Sequence, residues 1–152
     1  MRLAIRSKPR TRAMLALAGG LLLLASSVPG GAAATRTTIT IKVNPDAGTE
    51  MFTTTGGALC LSGWASTDFR MQGGSWRAGT FHLSKLLVCD DGSGSFTIDV
   101  NAATVFGSPT DQGGWSVIGG TDDYAGLHGG GNLVGTYVDT GIIDQYTGVV
   151  TR

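Results

Sequence analysis

Few side chains in this 152-residue chain could do chemistry, and spacing sets most of their combinations aside. The histidines are His82 and His128, and the cysteines are Cys60 and Cys89. A zinc site draws three or four ligands from His, Cys and carboxylates. Only one histidine pair is available and the cysteines suit a disulfide, so no metal is expected. His128-Gly129-Gly130-Gly131 looks like an esterase oxyanion-hole run. Such a run works with a G-x-S-x-G nucleophile elbow, and no serine has that spacing. Asp90-Asp91-Gly92-Ser93-Gly94 and Asp122-Asp123 could attract calcium weakly, but neither follows the EF-hand pattern. They read as solvated turns. There is no phosphate loop and no dinucleotide fingerprint, so no cofactor is expected.

What remains is charge on otherwise apolar strand faces. Lys85 shares a face with Phe81, Leu83 and Leu87, and Asp144 shares one with Ile142 and Tyr146. A charge on such a face needs a partner or solvent. Lys85 and Asp144 are therefore the leading candidates to line a ligand pocket, with His82, Asp99 and Tyr137 behind them. Each of the five could instead point outward into water. No acid–base pair stands out, so no catalytic residue is assigned.

The elements that would position these groups are strands. Glycine contributes 25 residues, and Thr, Val, Ile and aromatics dominate much of the rest, which favours strands joined by tight turns. Arg36 to Val43 alternates, with Ile39, Ile41 and Val43 on one face. Further strands are expected over Ala58 to Ala65, Asp68 to Gln72, and Trp76 to Leu87 with an interruption at Gly79. Others follow over Ser95 to Thr104, Trp115 to Gly119, Asn132 to Asp139 and Ile142 to Thr151. Thr53 to Gly57 and Ser108 to Gly114 read as loops. Asp91-Gly92 supplies the positive φ that a tight hairpin needs. About eight short-linked antiparallel strands must hide their edges. The expected fold is all-β: an eight-stranded antiparallel up-and-down barrel, with a β-sandwich as the alternative. Eight strands leave room for side chains or one small ligand.

The first residues have another character. Arg2, Arg6, Lys8, Arg10 and Arg12 precede an apolar run from Ala13 to Leu24, and small residues follow to Ala32-Ala33-Ala34. A basic head, an apolar middle and a small-residue exit make a secretory signal peptide. The run is shorter than the roughly 20 residues of a spanning helix. Cleavage is expected after Ala34, or earlier near Ser27, leaving 35–152 as one barrel domain and no stable membrane anchor. The exported part keeps six basic residues against eleven acids, a formal charge of −5. That disfavours nucleic acid as a partner. In an exported protein Cys60 and Cys89 read as one disulfide.

Gly119-Gly120-Thr121-Asp122-Asp123-Tyr124-Ala125-Gly126-Leu127-His128-Gly129-Gly130-Gly131 resembles the G-G-T-G-x-[YF]-x-G-x-x-G-x-G turn of the allene oxide cyclase and dirigent barrel group, small secreted bacterial members included. Asp122 stands where that pattern has a third glycine, and Asp tolerates positive φ better than most residues. The resemblance implies a turn between two late strands of an eight-stranded barrel, and permits a trimer or other homo-oligomer. Gly119, Gly120, Thr121, Tyr124, Gly126 and Gly129 are read as structural. Thr121 or Asp122 would cap a helical turn over Asp123-Tyr124-Ala125, and Tyr124 would plug the barrel end or pack on its rim. The functional expectation is a secreted barrel without catalytic activity, binding a small apolar molecule or serving an extracellular structural role. The alternative is a dirigent-like or cyclase-like enzyme that orients a small substrate in the barrel, where proximity does most of the chemistry.

Overall fold

The computed structural model describes residues 33–75 and 77–152. The expected signal peptide falls almost wholly outside them, as does Trp76. The described chain forms β1 (Thr35–Asn44), β2 (Thr49–Thr55), β3 (Ser62–Gly74), β4 (Ala78–Cys89), β5 (Ser95–Val105), β6 (Thr110–Gly120), β7 (His128–Val138) and β8 (Gly141–Thr151). Each strand pairs antiparallel with the next, and β8 returns to β1. The sheet is therefore a closed barrel, not a sandwich, with its shortest seam between β2 and β3, where three residue pairs join them.

The second and third strands differ from the sequence expectation. Thr53 to Thr55 is not loop. It ends β2, in which Phe52 and Thr54 are buried and their neighbours are not. Ala58 to Leu61 is not strand: Leu59 and Cys60 are buried in a loop, and Cys60 is bonded to Cys89. Thr54 Oγ1 donates to the Cys60 carbonyl at 2.6 Å, which satisfies a buried backbone acceptor there. The expected strands 58–65 and 68–72 are replaced by the single 13-residue β3. Gly79 does not interrupt β4, where it pairs with both Gly74 and Thr104. β6 begins at Thr110 and β7 at His128, each reaching into glycine-rich sequence that reads as loop.

One end of the barrel is sealed. Phe52 and Phe96 meet edge to face at 6.1 Å between ring centroids, and Tyr124 packs on Phe96 at 5.4 Å. Tyr124 sits on a single 3-10 turn, Asp122–Tyr124, one residue earlier than expected. Neither expected cap forms, because Thr121 Oγ1 is engaged across the sheet, accepting from the Ser95 backbone N–H at 3.1 Å. Asp122 adopts φ 50°, the left-handed conformation that Asp tolerates. Gly120 has a steric reason: a Cβ there would stand 2.4 Å from the Tyr124 carbonyl oxygen. Arg152 closes the plug from outside, its guanidinium 4.8 Å from the centre of the Tyr124 ring.

Candidate functional site

The pleat decides which side chains reach the other, open end. Along β4, Phe81, Leu83 and Lys85 face inward. On β8, Ile142, Asp144 and Tyr146 do the same, and Asp111 on β6 and Tyr137 on β7 join them. They surround a cavity of about 200 Å³ whose apolar wall includes Val43, Phe69, Phe81, Leu83, Leu133 and Ile142. Phe69 and Tyr137 reach the surface at its mouth.

The polar side chains fall into two connected groups. Lys85, only 4% exposed, donates from Nζ to Glu50 Oε2 at 2.9 Å and to Thr67 Oγ1 at 2.7 Å. Thr67 Oγ1 in turn donates to Glu50 Oε2 at 2.8 Å. The ammonium is thus paired and hydrogen-bonded, as a buried charge must be. Asp144 Oδ2 lies 3.9 Å from Lys85 Nζ and accepts from the Tyr146 hydroxyl at 3.1 Å. Asp111 Oδ2 accepts from the Tyr137 hydroxyl at 3.3 Å. Asp111 Oδ1 is buried, and no donor reaches it among the described residues.

Gly135 brings the two aspartates together. It pairs with Asp111 on one side and Asp144 on the other, so the three lie in one row across β6, β7 and β8. A Cβ on Gly135 would stand 2.0 Å from Asp111 Oδ1 and 2.9 Å from Asp144 Oδ1. Both carboxylates therefore lean over the place where any other residue would put a side chain.

This environment shifts the titrating groups. Burial pushes the Asp144 carboxyl above its usual range, against the attraction of Lys85. Burial, reinforced by the neighbouring Asp144, raises the Tyr146 hydroxyl well above its ordinary value, and burial raises Tyr137 also. Both tyrosines therefore act as neutral donors at neutral pH.

Of the residues singled out in the sequence, Lys85, Asp144 and Tyr137 line the cavity. His82 and Asp99 do not, which corrects their reading as groups of the barrel interior; His82 lines a shallow groove on the outside instead. Strand alternation turns both to the outer wall, where His82 Nε2 and Asp99 Oδ2 lie 3.0 Å apart. Glu50, Asp111 and Thr67 are missing from the sequence candidates. Glu50 shares a strand parity with Phe52, and Asp111 with Trp115. That parity was the available signal, hidden because Asp111 reads as loop and the residues around Glu50 carry no clear strand pattern. Among the described residues, no three His, Cys, Asp or Glu side chains are grouped so as to hold a metal ion. No family model matches the chain, and no curated protein or solved structure matches it significantly.

Proposed function

We propose that this protein is a secreted barrel that binds one small, largely apolar molecule in its open end. The observation that carries the reading is the lumen itself: apolar walls around convergent polar side chains, open at one end and sealed at the other. Ligand sites have this composition. The volume of about 200 Å³ lies below the roughly 300–1,000 Å³ of drug-sized pockets, which points to a compact ligand. Export is supported by the basic, apolar and small-residue order of the first 34 residues and by the buried Cys60–Cys89 disulfide. No helix among the described residues is long and apolar enough to cross a membrane.

Native mass spectrometry of the protein purified from its own culture medium tests this reading. A small molecule that leaves on denaturation is the expected result, and the same spectrum gives the oligomeric state. A protein that carries nothing, and takes up no compact apolar compound, would end the proposal.

A second reading has one observation in its favour. Asp144 holds its proton more tightly than an ordinary carboxyl and faces an open cavity, as a general acid would. In the cyclase-like or dirigent-like alternative, Asp144 would protonate a bound substrate that the walls hold in one conformation. Incubating the released molecule with wild-type protein and with Asp144→Asn separates the two. Conversion by the wild type alone establishes catalysis, and an unchanged molecule leaves binding.

A further inference from the structure

Three carboxylates and one ammonium face the cavity: Glu50, Asp111, Asp144 and Lys85. Glu50 and Thr67 hold the ammonium by hydrogen bonds, and Asp144 reaches toward it only with Oδ2, 3.9 Å away, which leaves Asp144 Oδ1 free of that pairing. On the other side Asp111 is 7% exposed, and its Oδ1 has no donor among the described residues. Asp144 Oδ1 leans toward the same point over Gly135. A buried carboxylate oxygen without a donor is costly, and a cation that also donates a hydrogen bond relieves both the charge and the missing bond. An anionic ligand would meet two carboxylates there, and a quaternary ammonium has no N–H to give.

We propose that the molecule bound in the barrel carries a protonated primary or secondary amine, seated between Asp111 Oδ1 and Asp144 Oδ1 over Gly135, with its apolar part against Phe81, Leu83 and Leu133. This inference rests on the small-molecule reading above and names the chemical class of the ligand. Gly135 is then a specificity residue, because its missing side chain lets the two carboxylate oxygens converge on one point.

Calorimetric titration of the whole protein with four six-carbon probes tests it: hexylamine, hexyltrimethylammonium, 1-hexanol and hexanoate, at neutral pH and low salt. Hexylamine is expected to bind about tenfold or more tightly than the other three, in line with one charge-assisted hydrogen bond. Asp111→Asn keeps the shape of the side chain and should remove that preference while 1-hexanol binding stays within about threefold. Gly135→Ala should do the same, since the clash is with carboxylate ends that can swing aside while the strand keeps its pairing. Asp99→Asn removes an acid from the outer wall and should change nothing, which controls for nonspecific attraction to an acidic surface. Circular dichroism and a melting curve establish that each variant is folded. If 1-hexanol or hexanoate binds as well as hexylamine, or the amine preference survives both Asp111→Asn and Gly135→Ala, the amine assignment is wrong and the binding reading stands. If no probe binds the folded wild type, both fall together.

Discussion

At the sealed end of the barrel, Phe52, Phe96 and Tyr124 pack ring against ring under the Arg152 guanidinium, and Cys60–Cys89 ties the neighbouring loop to β4. At the open end, the same eight strands carry Glu50, Lys85, Asp111 and Asp144 around unfilled space. The strands that pack apolar groups at one end present charge at the other. On β4, Leu87, paired with Phe96, gives way along the lumen to Lys85. The difference teaches where stability and function reside. Closing one end with aromatics contributes enough apolar burial for the other to keep buried charges that do not help folding.

One residue type placed at both ends is the sharpest way to break the comparison. Phe96 is fully buried, whereas Phe69 is 65% exposed at the cavity mouth. Phe96→Ala should cost about 3–5 kcal/mol, the range for a large core truncation. Phe69→Ala should cost under about 1 kcal/mol. Urea unfolding of the two variants checks this, and equal losses would mean that the ends are not energetically distinct. Next in size is the disulfide. Replacing Cys60 and Cys89 by serine should cost roughly 3 kcal/mol, through a freer unfolded chain. Hexylamine affinity, read at the opposite end, should stay the same in the folded variant. A parallel loss of affinity would show that the two ends communicate.

The two ends were also unequally legible in the sequence. Phe96, Ile98, Val100 and Ala102 alternate without a break, so β5 and the core face it presents were plain. The turn around Tyr124 is plain as well, since glycines flank it on both sides, although neither Thr121 nor Asp122 caps it as their types suggest. The open end was half hidden. Lys85 and Asp144 stand on clear apolar faces. Asp111 precedes Gly113 and Gly114, which look like loop, yet both pair in the ladder with Ala102 and Asn101. Glu50 stands beside a turn, and its place in the sheet is set by its pairing with Val43 of β1. That Asp111 and Asp144 lean toward one point depends on Gly135 lying between them in register, a contact across three strands that no local pattern carries.

The charged end gives two smaller predictions. Lys85→Met removes the cation that holds Glu50, and should cost about 2–3 kcal/mol, below the range for a fully buried pair because Glu50 is 19% exposed. Replacing both partners, as Lys85→Met with Glu50→Leu, should recover most of that loss. A double variant as unstable as the single one would mean that the pair stabilises the fold outright, and that the open end is no different in kind from the sealed one.

The smallest effect is the one that depends on pH. Burial holds the Asp144 carboxyl above its unfolded value, so the native state binds this proton more tightly than the unfolded chain does. Where a native group binds the extra proton, stability falls as pH rises from the ordinary carboxylate range to the raised native pKa, and levels off above it. Asp144→Asn cannot ionise, and its side-chain oxygen can still accept from the Tyr146 hydroxyl. The variant should therefore match the wild type most closely in acid, and gain on it as pH rises toward neutrality, by an amount on the order of 1 kcal/mol. Urea unfolding across that range measures the gap. A gap that stays flat or closes with pH would mean that Lys85, 3.9 Å away, outweighs burial. The open end would then hold Asp144 as a settled ion pair and leave Asp111 alone to meet a ligand.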